Sequence, residues 1–313
     1  MSTSRPFRFG VQIAGAPSGA AWTELARKAE DLGFSTLLMP DHFGDQLAPG
    51  PALMAAAAAT TELRVGHLVL GNDYRHPVIL AKEVATLDVL SGGRAELGLG
   101  AGWMKADYER SGIERLPADQ RIARLEESIA VCRGLWADGP FSFVGEHYRI
   151  AGLDGLPTPV QRPRPPILVG GGGPTLLGVA ARHADIVGVN MPIPGGRLSR
   201  LTPEMIAATA VDDRVGLVRM AAGGRIDALE LSVFVYRTAI GPDWRSRRSD
   251  LADFFGTGVE AVDETPHIWV GDPARIADQL RMARKRWGFS YFVVHTAAAM
   301  NGAAAVIAEL RGE

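Results

Sequence analysis

The residues best suited to chemistry are an adjacent carboxylate and imidazole, Asp41 and His42, in the segment PDHFGD. They directly follow STLLMP (35–40), an apolar run typical of a buried strand. Neighbouring titratable groups change each other's proton affinity, which is one way in which a general acid or base is prepared. The alternative is that Asp41 caps the following turn and His42 is a packing residue. The sequence favours a reactive pair, because both residues stand directly at a strand end.

A second candidate is the segment ILVGGGGPT, in which four glycines separate an apolar run from a helical pattern. Backbone N–H groups and the positive end of a helix that begins near Pro174 are able to hold an anion there, with the Thr175 hydroxyl as a further donor. A simple structural turn is the alternative. No lysine of the nucleoside-triphosphate loop type follows the glycines, so the expected occupant is the phosphate of a cofactor.

Glycines also recur in GLGAGW (98–103), which superficially matches a dinucleotide-binding fingerprint. That fingerprint belongs near the first strand of an open sheet and needs a downstream acidic residue. In a barrel, glycines at this place allow a flat ring to approach the backbone, and simple turn flexibility is the alternative. Trp103 would form one wall of a site for an aromatic ligand, or it would cover the open end of the barrel. No spacing of His or Cys is typical of zinc, so no metal is expected. The single cysteine, Cys132, lies in a helical pattern and is interpreted as a buried structural thiol.

These candidates lie at the ends of strand-like runs that alternate with helical patterns along the chain. The eight runs span residues 7–13, 35–40, 63–70, 94–100, 165–170, 184–190, 229–240 and 290–295. Eight such units in 313 residues predict an α/β fold, a closed (β/α)8 TIM barrel in a single domain over 1–313. An open doubly wound sheet is the competitor. Two connections, 101–164 and 241–289, are predicted insertions after strands four and seven, and lids or subunit contacts are their usual roles.

Composition excludes several function classes. The formal charge of −2 gives no basic field for a nucleic acid or an anionic membrane. The longest apolar run, PALMAAAAA, is too short to span a bilayer, and MSTSRPFRFGVQ lacks the apolar core of a signal peptide. We therefore expect a cytoplasmic protein with a small-molecule substrate.

Several motifs occur together in the order found in one known family: PDHF, SGGRAELGLGAGW, RLEESIAVCRGLW, a hairpin that ends in GEHYRI, PTPVQRP and PPILVGGGGP. Over nearly its whole length the sequence resembles the bacterial luciferase-like superfamily. It is most similar to the coenzyme F420-dependent oxidoreductase branch (the LLM class). The resemblance implies the barrel already predicted and an enzyme that transfers hydride with the deazaflavin F420 at the barrel's C-terminal mouth.

The resemblance also implies roles for individual residues. Asp41 would contact the deazaflavin ring, and His42 would be the active-site acid or base. A non-prolyl cis peptide that bulges against the ring is implied near Leu68 and Val69. The remaining implied cofactor contacts are Gly100 and Gly102 beside the ring or its side chain, and Gly171, Gly172, Gly173, Pro174 and Thr175 around the phosphate.

The sequence departs from F420-dependent sugar-phosphate dehydrogenases, which place glutamates after strand one and after the fourth-strand glycines. Here those places hold AGAPSGA and Trp103, so a sugar phosphate is a poor substrate. We expect a small, uncharged organic substrate with a C=C, C=N or C=O group that is reduced, or the reverse reaction. A reduced-FMN-dependent monooxygenase of the same superfamily is the alternative, and a catalytically silent flavin-binding or assembly protein is a third. A homodimer is expected, with the insertions as its contact.

Overall fold

The computed structural model of the protein describes residues 5–193 and 202–313. Its centre is a closed ring of eight parallel strands, in which the third strand is interrupted and so has two segments. The strands of this ring are β1 (Arg8–Gln12), β2 (Thr36–Met39), β3 (Arg64–His67) with β4 (Leu70–Gly71), β5 (Ala95–Gly100), β8 (Ile167–Gly171), β9 (Ile186–Val189), β10 (Glu230–Val235) and β13 (Phe289–His295). The predicted TIM barrel is confirmed, because β1 pairs with β13 and β3 pairs with β5, which leaves no sheet edge.

Helices surround the ring and connect its strands. They are α1 (Gly19–Asp31), α2 (Pro49–Ala59), α3 (Pro77–Leu90), α4 (Lys105–Ser111), α5 (Ala118–Leu135), α6 (Pro174–His183), α7 (Pro203–Ile206), α8 (Ala208–Ala222), α9 (Trp244–Phe255), α10 (Val259–Glu264), α11 (Pro273–Trp287) and α12 (Met300–Glu309). Several begin with proline, which has no N–H to leave unsatisfied in a first turn. Within the described ranges, no helix is long and apolar enough to cross a membrane.

Both predicted insertions are present, but the second begins earlier than the sequence suggested. The first contains α4, α5 and the antiparallel hairpin of β6 (Pro140–Val144) and β7 (Arg149–Asp154). The predicted seventh strand over 229–240 is wrong at its end, because β10 stops at Val235. After Tyr236, β11 (Arg237–Ile240) leaves the barrel and pairs in parallel with β12 (Ile268–Gly271). An apolar run shows burial but not the sheet in which a strand is buried.

The end of the lumen at the N-termini of the strands is closed by buried charges. Glu96 accepts from both Arg8 and Arg64, at 2.6 Å each, and Glu230 accepts from Arg8 at 2.9 Å. The guanidinium of Arg8 also lies 4.2 Å from the centre of the Tyr291 ring. Burial alone would raise the pKa of Glu96, but the two arginines outweigh burial and hold it below its usual value. A ligand therefore has access from the opposite end, where the strands' C-termini meet.

Candidate active site

The floor of the C-terminal mouth is formed where the third barrel strand is interrupted. The Leu68–Val69 peptide bond between β3 and β4 is cis, as the family resemblance implies. The Gln12 side-chain amide, at the end of β1, donates to the Leu68 carbonyl. Leu68 belongs to the apolar cluster inside the lumen, and Val69 packs against that cluster. The floor is therefore apolar, with a polar support from β1.

The glycines of β5 and β8 make room for Val69. A Cβ atom added to Gly100 would lie 2.7 Å from Val69 Cγ2, and one added to Gly98 or Gly170 would lie 3.4 Å from Val69 Cγ1. In the sequence, the glycines of GLGAGW suggested direct approach of a ring to the backbone. In the structure Val69 covers this face of Gly100, so Val69 is the surface that a ligand meets there.

Gly102 serves the packing of the first insertion. Its φ of +72° is unfavourable for other residues, and an added Cβ would lie 1.8 Å from the Tyr108 hydroxyl oxygen. Its carbonyl accepts from the Arg121 guanidinium, which also donates to the Ala101 carbonyl at 2.6 Å. Gly102 thus positions α4 and α5 beside the mouth.

Asp41 is buried and forms an ion pair with Arg75, which we call the Asp41 clamp. Its carboxylate accepts from both terminal nitrogens of Arg75, at 2.6 and 3.1 Å, and from the Gly71 backbone N–H at 3.0 Å. A bidentate arginine–carboxylate pair fixes geometry as well as charge. The clamp holds the turn that follows the cis peptide, so the structure places Asp41 behind the floor.

His42 is held by a carboxylate that the sequence analysis did not single out. His42 Nδ1 lies 2.7 Å from Asp107 Oδ2, and Asp107 Oδ1 accepts from the Phe43 N–H at 3.4 Å. Asp107 is buried, whereas the His42 side chain is 27% exposed. The His42 ring meets the Trp103 ring edge to face, with centres 5.4 Å apart. Asp107 can fix the ring tautomer and leave Nε2 available to a ligand.

The sequence contained a weak indication that Asp107 is a site residue. Asp107 stands four residues after Trp103, in α4 and within the segment that follows β5. Rim segments carry the functional side chains in this fold class, and Asp107 is among the few carboxylates that follow a strand end so closely. Its separation of 65 residues from His42 hides the pair in the sequence.

The wall of the mouth formed by the ends of β10 and β13 is aromatic. Phe234 of β10 has its ring centre 5.5 Å from the His295 ring at the end of β13, and 4.8 Å from the Tyr236 ring. Burial first, and then the nearby Arg237 charge, lower the pKa of His295. The lowered pKa favours the neutral imidazole of His295. Asn190, at the end of β9, has a buried side-chain oxygen without a hydrogen-bond partner within the described residues.

The four-glycine loop leads into α6 in an extended conformation. Gly171, Gly172 and Gly173 are absent from the residues with positive φ, so they do not form the nest of alternating left-handed residues that often binds anions. An added Cβ at Gly172 would meet the backbone of residues 190–192 at 2.3–2.6 Å, whereas nothing lies within 4 Å of one at Gly173. The anion donors available here are the first N–H groups of the ten-residue helix α6, from Thr175 onward, because Pro174 has none.

Two further expectations concern metals and the cysteine. No cluster of three or more potential metal ligands occurs among the residues that the structure describes. Cys132 is fully buried in α5, with its sulfur 3.7 Å from the Pro77 carbonyl, and burial raises its thiol pKa to about 12. It is a structural thiol, as predicted.

Comparison with known proteins places this arrangement in a family. The model of the luciferase-like monooxygenase family matches residues 1–228. The chain belongs to this family. An F420-dependent glucose-6-phosphate dehydrogenase from Nakamurella multipartita is 32% identical over 302 residues, which are 91% of this chain and 84% of that protein.

The other matches include both cofactor classes. An FMNH2-dependent dimethylsulfone monooxygenase from Pseudomonas putida is 36% identical over 131 residues, which are 42% of this chain and 36% of that protein. The chain spans about a third to a half of the length of several such curated relatives. A coenzyme F420-dependent tetrahydromethanopterin reductase from Methanopyrus kandleri has the same fold, with a TM-score of 0.75, 21% identity, and coverage of 98% of this chain and 100% of that one. The comparisons support an oxidoreductase or monooxygenase.

Proposed function

We propose that this chain is a coenzyme F420-dependent oxidoreductase that moves hydride between the deazaflavin and a small, uncharged organic substrate. The observation that carries the proposal is the His42–Asp107 pair beside an apolar floor. Hydride transfer to or from a C=C, C=N or C=O group must be accompanied by proton transfer at the other atom. A histidine held at one nitrogen and open at the other suits that task.

The residues present fit the cofactor. Val69 offers an apolar surface for a flat ring, and the Asn190 side-chain oxygen is a buried acceptor without a partner in the described structure. The start of α6 offers amide donors for a phosphate, next to the open space at Gly173. Together with Asp41 as the support of the floor, these residues would hold the group.

When bound, F420 supplies or accepts the hydride, and the protein supplies orientation and a proton. In the reductive direction, His42 Nε2 donates the proton to the substrate atom that does not receive the hydride. Asp107 keeps the ring oriented and stabilises the positive charge of the protonated imidazole. Trp103 beside His42 and Phe234 beside His295 give the mouth apolar walls.

The substrate class follows from the charges at the mouth. Asp41 and Arg75 neutralise each other behind the floor, and the AGAPSGA loop and Trp103 stand where a pair of acids would be needed for sugar oxidation. The lowered pKa of His295 on the far wall favours its neutral form. An uncharged, partly apolar substrate such as an enone, imine or ketone therefore suits this mouth.

The second candidate is a reduced-FMN-dependent monooxygenase, favoured by the 36% identity to the dimethylsulfone monooxygenase. That similarity covers 42% of this chain, whereas the similarity to the F420-dependent dehydrogenase covers 91%. The broader match supports F420 as the first choice.

A titration separates the two cofactors. The purified protein is mixed separately with F420 and with FMN, and binding is followed by fluorescence. We expect F420 to bind at least tenfold more tightly; tight FMN binding without F420 binding would overturn the proposal. Reduced F420 is then offered with a panel of enones, imines and ketones, and oxidation of the cofactor is followed by absorbance.

Two histidine variants test the assigned role. His42→Ala should lower turnover by about 100- to 10,000-fold with cofactor affinity retained, whereas loss of affinity would make His42 a wall residue. His183→Ala is the matched control, because His183 pairs with Glu126 at the outer surface, 2.6 Å away, and should leave turnover unchanged.

A further inference from the structure

Three consecutive residues with polar side chains stand directly after the third barrel strand. They are Asp73, Tyr74 and Arg75, at the end of a short turn of 3-10 helix over Asn72–Tyr74. We call these three residues the 73–75 segment. Their side chains contact residues that are next to His42 or next to Asp107 in the sequence, so the segment lies against both halves of the active pair.

Arg75 holds the residue that precedes His42. Its guanidinium donates to the Asp41 carboxylate at 2.6 and 3.1 Å in the Asp41 clamp. A bidentate pair of this kind fixes the angle as well as the distance between the two groups. Because one peptide bond joins Asp41 to His42, the clamp also limits the movement of the His42 backbone.

Tyr74 packs between the two halves of the active pair. Its ring centre lies 4.8 Å from that of Phe43, the residue after His42. On the other side it lies 5.5 Å from the ring centre of Tyr108, the residue after Asp107. Aromatic rings in contact prefer particular mutual angles, so such contacts restrict orientation as well as separation. The Tyr74 ring thus sets the spacing between the two chain segments that carry the pair.

Asp73 holds the hydroxyl group of the same tyrosine. Tyr108 Oη donates to Asp73 Oδ2 at 2.9 Å, and Asp73 Oδ1 lies 3.1 Å from the Arg124 guanidinium of α5. Burial raises the pKa of Asp73, whereas the Tyr108 hydrogen bond and the Arg124 charge favour its ionised form. Since Tyr108 follows Asp107 in α4, this hydrogen bond fixes the helix that carries Asp107.

The contacts of the 73–75 segment explain how a distant pair keeps a short hydrogen bond. His42 Nδ1 and Asp107 Oδ2 are 2.7 Å apart, although the two residues are 65 positions apart in the sequence. A hydrogen bond weakens steeply when its distance or angle changes, so both partners need a common support. The segment provides that support, because it holds Asp41 and Phe43 on one side and Tyr108 on the other.

We propose that the 73–75 segment fixes the His42–Asp107 geometry, with Asp73 and Tyr74 as positioning residues for the histidine. Each acts through a neighbour of the pair. The arrangement keeps the proton of the neutral imidazole on Nδ1 and leaves Nε2 open towards the mouth. The catalytic consequence rests on the proposed function, whereas the geometry of the pair depends on neither cofactor nor substrate.

Nitrogen-15 NMR of the histidine rings tests the positioning without cofactor or substrate. In mildly alkaline solution the wild-type His42 ring should carry its proton on Nδ1, and its signals are assigned by their loss in His42→Ala. Tyr108→Phe removes one hydroxyl and keeps the ring. The population with the proton on Nε2 should then rise at least about fivefold, which is the effect of losing one ordinary hydrogen bond.

The matched control is Tyr148→Phe. The Tyr148 hydroxyl is buried and forms no hydrogen bond within the residues that the structure describes. This variant therefore also loses one buried hydroxyl, but it leaves the 73–75 segment and its contacts unchanged. Its His42 spectrum should match that of the wild type, and a change as large as in Tyr108→Phe would contradict the specific role of the Asp73–Tyr108 bond.

Two variants of Tyr74 separate positioning from stability. Tyr74→Ala removes both ring contacts and should shift the His42 proton as Tyr108→Phe does, whereas Tyr74→Phe keeps both contacts and should retain the wild-type spectrum. Circular dichroism and urea unfolding are measured on the same samples. If Tyr108→Phe and Tyr74→Ala are folded but less stable, and His42 keeps its proton on Nδ1 in both, the segment only stabilises the fold and the proposal is wrong.

Turnover distinguishes a failure of the positioning from a failure of the proposed function. With F420 and an active member of the substrate panel, Tyr108→Phe should lower the single-turnover rate constant about four- to tenfold and leave the cofactor Kd within about twofold. Unchanged turnover in a variant with an altered His42 spectrum would refute the catalytic consequence. An inactive wild type whose variants show the expected spectra would overturn the proposed function and support the positioning.

Discussion

Replacing Asp107 by asparagine separates the charge of this carboxylate from its hydrogen-bonding geometry. An asparagine side chain has the same shape, and its oxygen is still able to accept from His42 Nδ1, so the imidazole keeps its orientation. The negative charge that stabilises a protonated His42 is lost. The change is large in effect because Asp107 is only 7% exposed in its side chain and lies 2.7 Å from the ring nitrogen.

The magnitude follows from the value of a charged hydrogen bond. Such bonds contribute about 1.5–3 kcal/mol, roughly twice as much as neutral ones. Losing the charge while keeping a neutral bond should therefore cost half of this, about 0.75–1.5 kcal/mol in the transition state, which corresponds to about 4- to 13-fold in the rate constant. Cofactor affinity should change less than about twofold, since a loss confined to the transition state leaves ground-state binding intact.

The assay is a single-turnover measurement in stopped flow, with the enzyme in excess over the reduced deazaflavin and a substrate from the panel at a saturating concentration. Asp107→Asn is compared with Glu109→Gln, which removes a charge from the exposed side of the same helix, where Glu109 pairs with Lys105 at 3.0 Å. The control should keep wild-type turnover. An Asp107→Asn variant within threefold of wild type would refute the role given to the pair.

A double-mutant cycle adds a second criterion. If Asp107 acts through His42, then Asp107→Asn in a His42→Ala background should have no further effect on turnover. Independent, additive losses would show that Asp107 supports the mouth by some other route, for example through its contact with the Phe43 N–H.

Three other predictions concern the frame around the site. Glu96→Gln should lower the free energy of unfolding by about 3–5 kcal/mol in urea at pH 7, because it removes the buried anion that Arg8 and Arg64 share and leaves Arg8 with Glu230 alone. The pKa of Glu96 is lower in the folded protein than in the unfolded chain, where it is about 4.3. The ionised carboxylate therefore stabilises the fold above about pH 4.3, and this stabilisation is lost as the pH falls through the folded-state pKa. Glu96→Gln should lack this acid-dependent loss of stability. Gly102→Ala should lower the free energy of unfolding by about 1–3 kcal/mol more than Gly112→Ala. Both glycines have a φ above +70°, but only a Cβ at Gly102 would meet Tyr108. Equal losses of stability in the two variants would contradict this reasoning. The Cys132 thiol, whose pKa burial raises to about 12, should react with a disulfide reagent only as the protein unfolds, and rapid labelling of the native protein would show that α5 is not packed as described.

Sequence reasoning was most successful for elements with a clear local pattern. The helix expected to begin near Pro174 is α6, at Pro174–His183, and the expected hairpin is β6–β7. It failed at residues 236–240, where the apolar pattern continues but the chain changes sheets. The glycines of GLGAGW show a further limit of sequence reasoning, and the cofactor contact expected there stays a prediction. A glycine in a sequence marks a place where a side chain does not fit, but the pattern does not identify the neighbour that takes the space; here the neighbours are Val69 and Tyr108.

The sequence by itself predicted eight strand-and-helix units, favoured a closed barrel over an open sheet, and indicated which residues reach the C-terminal rim. Alternating apolar runs and turn signals are local properties, and in this fold they specify which end of each strand carries polar residues. Only the tertiary structure decided which of those residues act together. Asp107 meets His42 from 65 positions away, and Arg75 meets Asp41 from 34 positions away. Such pairs depend on closure of the strand ring and on the path of the rim loops, and neither is encoded in the periodicity of a single segment.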